Sequence, residues 1–100
     1  MPNKNYAKGR RLEYELAKKL RNAGWVTLRT AGSHGFADLV CVRSDVEEPR
    51  VRFIQVKGYE VSSQAQADFK KKPPIIRSTS YTQELWWKSN RQPWCYCLVD

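Results

Sequence analysis

The stretch RFIQVKG, residues 52–58, sets how the rest of the chain is read. As a strand, its period of two puts Phe53, Gln55 and Lys57 on one side and Ile54 and Val56 on the other. An otherwise apolar strand therefore aims an amide and an ammonium in the same direction, next to Gly58. Such groups are expensive in a core unless other polar groups face them, so their partners must come from elsewhere in the chain.

Working outward, DLVCVR (38–43) is an unbroken apolar run that suits a strand covered on both faces. WVTLRT (25–30) reads as the strand before it, the two being separated by the loop AGSHGFA. With SDVEEPR (44–50) as a polar turn, these runs and VRFIQVK form three strands of a meander. Ahead of them, residues 5–23 predict a helix with Leu12, Leu16 and Leu20 at spacings of four and Ala17 beside them. Gly24 is its C-terminal stop. After Gly58 the pattern fades, and SSQAQADFKKKPPIIRSTS (62–80) reads as a long loop. Ser80 followed by Gln83 resembles a capping box, so TQELWWKSN (82–90) predicts a short helix that Pro93 ends. WCYCLV (94–99) closes the chain as a strand. Residues 1–100 thus read as one small α/β domain without internal repeat or linker.

Composition narrows the function classes. Eighteen Lys and Arg against ten Asp and Glu give a net charge of +8, which favours a polyanion such as nucleic acid as partner. No apolar run is long enough to span a membrane, and the polar, basic start does not read as a signal peptide, so a cytoplasmic location is expected. Cys41, Cys95 and Cys97 are an odd number in such a chain, which argues for buried, reduced thiols. A Cys pair and the lone His34 are too few ligands for zinc at the usual spacings.

Two acids stand out. At 100° per residue, Leu16, Ala17 and Leu20 fall within about 60° of Glu13, whereas Glu15 points nearly opposite. Glu13 therefore lies in the stripe meant for the core, where a carboxylate is either neutralised by a helix-edge Arg or Lys or coordinated. Asp38 sits where a small, Gly-rich loop hands over to an apolar strand, as a turn residue or as part of a site. Taken with Gln55 and Lys57, these make four polar groups set in or at the edge of apolar elements, a pattern that suggests one pocket.

The ordered set G-x-x-x-E (9–13), R-T-A-G-S-H-G-F-A-D (29–38) and Q-V-K (55–57) resembles the archaeal Holliday junction resolvases, within the wider PD-(D/E)XK nuclease superfamily. The resemblance is close over residues 8–57 and looser beyond. It implies a restriction-endonuclease-like α/β fold, a central mixed β-sheet flanked by helices, with the first helix on one face and the later one on the other. It also implies a metal-dependent DNA endonuclease, branched or junction DNA as substrate, Mg²⁺ or Mn²⁺ as cofactor, and a homodimer. Residue by residue, Glu13 and Asp38 match metal-binding acids, Gln55 stands where most members carry Glu, and Lys57 matches the catalytic lysine. The Val56 carbonyl, between those side chains, is a further expected ligand. Such a set suits phosphodiester hydrolysis, in which an oxygen attacks in line while negative charge builds on the phosphoryl group. Gln55 supplies an amide oxygen but no charge, which lowers the expected metal affinity. Q-x-K at this place is similar to some nucleases of modified-DNA restriction systems, so a duplex or modified-DNA endonuclease is an alternative, as is an inactive DNA-binding protein.

Basic residues group at the start of the first helix (Lys4, Lys8, Arg10, Arg11) and in the long loop (Lys70, Lys71, Lys72). Both groups are expected phosphate contacts, giving salt-sensitive binding without sequence preference. Arg29 and Ser33 match positions that the resolvases keep polar and are expected to join them; His34 beside them receives no catalytic role. Trp86, Trp87, Trp94, Tyr81 and Tyr96 crowd the last third. They are expected chiefly in the core or a subunit interface, with one of Trp86 and Trp87 partly exposed, because a short helix has room for one apolar face.

Overall fold

Leu12, Leu16, Ala17 and Leu20 emerge on one side of the first helix and are all buried, as their spacing requires. The computed structural model describes residues 4–30, 37–43, 50–71, 81–89 and 91–99, with side chains from residue 9 onward. The expected Ser80 cap lies outside them. Helix α1 (Lys4–Asn22) ends in a pair of reversed hydrogen bonds, Trp25 N–H to the Leu20 carbonyl at 3.1 Å and Gly24 N–H to the Arg21 carbonyl at 3.0 Å. Gly24 makes this turn possible by adopting φ 99°, a region that Cβ-bearing residues avoid. Arg21 then ties the helix end to the next strand, its Nη2 donating to the Thr27 carbonyl at 2.7 Å.

Strands β1 (Val26–Arg29), β2 (Leu39–Arg43) and β3 (Arg50–Lys57) form the expected antiparallel meander. Helix α2 (Ser63–Lys70) crosses over to β4 (Tyr81–Trp87), which runs parallel to β3, and β5 (Cys95–Leu98) returns antiparallel. The result is a mixed five-stranded sheet in the order β1-β2-β3-β4-β5, the restriction-endonuclease-like α/β architecture implied by the sequence. Against α1, Leu39, Cys41, Ile54, Val56 and Trp86 complete one core. On the other side, Val61, Phe69, Leu85, Trp87 and Cys97 make a second core with α2.

Four expectations are corrected. Residues 82–87 are strand, not helix: alternation sends Glu84 and Trp86 to the α1 side and Leu85 and Trp87 to the α2 side. Both tryptophans are therefore buried, Trp86 at 8% and Trp87 at 4% exposure, because a strand covered on both faces has room for two adjacent large side chains. The second flanking helix lies instead within the stretch read as a loop. Ser62 caps it, accepting from the Ala65 N–H at 3.1 Å, and Phe69 alone is its buried anchor, too weak a stripe to be read from the sequence. Finally, Cys41 and Cys97 are buried free thiols as expected, but Cys95 at the start of the edge strand is exposed.

A buried ion pair crosses the α1 side of the sheet. Arg52 donates to Glu84 through Nε (2.7 Å) and Nη2 (2.8 Å), and Glu84 also accepts from Thr82 Oγ1 and from Trp86 Nε1 (2.8 Å). Burial pushes the Glu84 carboxyl up, but the bonds from Arg52, Thr82 and Trp86 outweigh it and hold the group below its ordinary value. The Arg52 guanidinium lies over two aromatic rings, 4.8 Å from the Trp25 ring centroid and 5.9 Å from that of Trp86. The Trp87 indole N–H, on the opposite face, has no acceptor among the described residues.

Candidate active site

Strand β3 outruns its neighbour. Leu39 opens β2 opposite Ile54, and the Asp38 N–H donates to the Ile54 carbonyl at 2.8 Å, after which the described ladder with β2 ends. Among the described residues, Gln55, Val56 and Lys57 continue in ladder pairing with Leu85, Trp86 and Trp87 of β4 alone. Backbone groups alternate in direction along a strand: Lys57 faces β4, its carbonyl accepting from the Lys88 N–H at 3.2 Å, so Val56 faces the side that β2 has left. The Asp38 carboxylate fills that place, Oδ2 accepting from the Val56 N–H at 2.8 Å. Because the N–H and C=O of one strand residue point the same way, the Val56 carbonyl is directed into the same notch. Thr30 steadies the Asp38 backbone, its N–H donating to the Asp38 carbonyl (2.9 Å) and its hydroxyl to the Ala37 carbonyl (2.7 Å).

Glu13 reaches this region from α1. Arg29, at the end of β1, donates to Glu13 Oε1 through Nε at 3.2 Å, lies 4.8 Å from the Tyr14 ring centroid and contacts its hydroxyl. Burial and then the nearby charge of Asp38 push the Glu13 carboxyl up, and Arg29 and Arg10 only partly oppose them. Two neighbouring carboxylates, one of them desolvated, leave negative charge that a cation would relieve.

Gln55 and Lys57 are half-buried and lie on the opposite side of β3 from Ile54 and Val56. Extending the β2–β3 register by one step sets Gln55 across from Asp38, and Lys57 follows at the end of the strand. Among the described residues no hydrogen bond or ion pair links Gln55 or Lys57 to Glu13. The structure thus brings Asp38 and Val56 together at the notch, with Glu13 near enough for the Asp38 charge to act on it, and places Gln55 and Lys57 on the other face of β3. The described residues hold no group of three or more His, Cys, Asp or Glu suited to a metal. What remains, two carboxylates, an amide oxygen and a carbonyl, is an all-oxygen set that fits a hard divalent cation.

Of the expected phosphate contacts, Arg11 is exposed on α1, and Arg10 stands close enough for its charge to act on Glu13. Arg29 is engaged with Glu13. Lys70 and Lys71 are exposed at the end of α2. Ser33, His34, Lys72 and the side chain of Lys8 lie outside the described residues. Thr30 and Tyr14 went unread because their roles depend on the register of β1 and on the side of α1 that meets Arg29.

The family model described as archaeal Holliday junction resolvase (hjc) matches residues 4–66. Comparison with curated proteins and with solved structures gave no match. The matched span runs through α1, the whole meander and the first turn of α2, and every residue of the notch lies inside it. With more than half of its length in that match, the chain belongs to the archaeal Holliday junction resolvase family.

Proposed function

We propose that this protein is a metal-dependent endonuclease that resolves four-way DNA junctions by hydrolysing phosphodiester bonds. The observation that supports this reading best is the notch, where the Asp38 carboxylate rests on the Val56 N–H with the destabilised Glu13 carboxylate nearby, in a chain of the resolvase family. Glu13, Asp38, the Gln55 amide oxygen and the Val56 carbonyl would hold Mg²⁺ or Mn²⁺, which when bound lowers the pKa of water and offsets charge on the phosphoryl oxygens. Arg29 donates to Glu13 and partly offsets the burial and the Asp38 charge that push its carboxyl up. Lys57, without an ion pair among the described residues, orients the attacking water and stabilises the charge that develops on the phosphoryl group. Lys8, Arg10, Arg11, Arg29, Ser33, Lys70, Lys71 and Lys72 serve as phosphate contacts.

Gln55 favours a second reading, a duplex or modified-DNA endonuclease of the same fold. A synthetic four-way junction and a matched linear duplex, each incubated with Mg²⁺ or Mn²⁺, separate the two. Cutting of the junction with the duplex intact is expected; equal cutting of both would favour the second reading. Tight binding in EDTA with no cleavage at high enzyme concentration would instead mark an inactive DNA-binding protein.

A homodimer is part of the proposal, because a junction offers two symmetric strands to cut. On the face of the sheet away from α1, Val26 is 64% and Leu28 62% exposed, beside Val42 and Val40. An exposed apolar strip of this kind suits a self-complementary interface. Light scattering is expected to give about twice the 11.7 kDa chain mass, and Leu28→Lys to return the monomer mass. A wild-type monomer at micromolar concentration would sink the dimer.

A further inference from the structure

The aromatic cluster of β4 and β5 lies outside the family match, and hydrolysis makes no use of it. Tyr96 is 59% exposed although it stacks on Trp86, with ring centroids 4.8 Å apart and planes at 17°. Trp86 covers one face of that ring, so the exposure belongs to the other face and the edges. The support beneath is rigid, because Trp86 is buried, its N–H is held by Glu84, and Trp94 stands edge-on to it at 6.2 Å. Positive charge borders the cluster: Lys88 Nζ lies 5.8 Å from the Trp94 ring centroid. Lys88 otherwise pairs with exposed Glu15, a surface ion pair that a phosphate can replace at little cost.

Position ties this cluster to the notch. Tyr96 pairs with Trp86, and Trp86 with Val56, so its backbone stands two strands, roughly 10 Å, from that of Val56. The Lys88 N–H itself donates to the Lys57 carbonyl. A rigid aromatic with one free face beside a cation is the arrangement that stacks nucleobases, whereas a purely apolar partner would have to bury Lys88.

We infer that Tyr96, backed by Trp86 and flanked by Trp94, is a stacking platform for an unpaired base near the branch point of the DNA, with Lys88 contacting the adjoining phosphate. This rests on the junction-DNA reading above. It adds the means of telling a branch from continuous duplex, since bases in a closed duplex present no free face to the ring.

The test is equilibrium binding in EDTA, at one salt concentration, to a four-way junction carrying 2-aminopurine at the branch and to the same arms as linear duplex. Tyr96→Ala and Tyr96→Leu are compared with Tyr96→Phe; leucine keeps Trp86 covered, which guards against a folding defect. Both Ala and Leu variants are expected to bind the junction about 5- to 150-fold more weakly, the range for loss of one stacked base. They should lose the 2-aminopurine quenching and keep duplex affinity, with Tyr96→Phe behaving as wild type. Tyr96→Leu with wild-type junction affinity and quenching overturns the platform and leaves the junction reading intact. Wild type that binds neither DNA, or both alike, overturns that reading and the platform with it.

Discussion

Asp38→Ala and Lys57→Ala are each expected to reduce junction cleavage by at least about a hundredfold, the usual loss when a charged group that acts in the transition state is removed, while junction binding in EDTA survives. The two substitutions fail for different reasons. Asp38→Ala removes a carboxylate from the notch and also strips the Val56 N–H of its acceptor, so it disturbs the backbone whose carbonyl faces the same space. Asp38→Asn separates these effects: an amide oxygen still accepts from Val56, only the charge is gone, and cleavage should remain lost. Lys57 has no described structural partner through its side chain, so Lys57→Ala should unfold at the same denaturant concentration as wild type. Gln55→Glu belongs in the same series. A third carboxylate should tighten metal binding and lower the Mg²⁺ concentration needed for cutting. Wild-type cleavage rates in the Asp38 and Lys57 variants would remove the enzymatic reading.

Glu84→Gln is expected to cost about 3–5 kcal/mol of folding stability, read as a shift of the urea midpoint at neutral pH. Glu84 is 3% exposed and gathers Arg52, Thr82 and Trp86, so removing its charge strands a guanidinium between β3 and β4 with no counter-ion. The pair also sets an acid limit. The folded Glu84 carboxyl lies below its ordinary value of 4.5, so its stabilising contribution is complete above that value and is lost as pH falls through the folded value. Wild type should therefore weaken on acidification below about pH 4.5, with Glu84→Gln losing much of that slope. Equal stability of the two proteins at neutral pH would mean the ion pair only balances its own desolvation.

These two regions differ in how far they could be read from residues alone. The polar groups proposed for the notch stood out in the sequence. Glu13 stands in a leucine stripe, Asp38 opens an apolar strand, and Q-V-K ends another, so each shows as a polar intrusion in a periodic apolar background. Helix α1 and the meander follow from the same local periods, with Gly24 ending the helix. The Arg52–Glu84 pair was invisible. It joins residues 32 apart in sequence across strands that pair in parallel, and Glu84 lies in a segment whose local signals favour helix.

Local pattern by itself decided where apolar faces begin and end, and so which polar groups lie awkwardly within them. Tertiary structure alone decided what those groups meet. Adjacent tryptophans become two buried residues only when the sheet is covered on both sides, and Asp38 reaches the Val56 amide only because β2 starts one residue short of it. Periodicity is a property of neighbouring residues, whereas register and layering arise when distant segments pack. Contacts that depend on register and layering cannot be written in either segment separately.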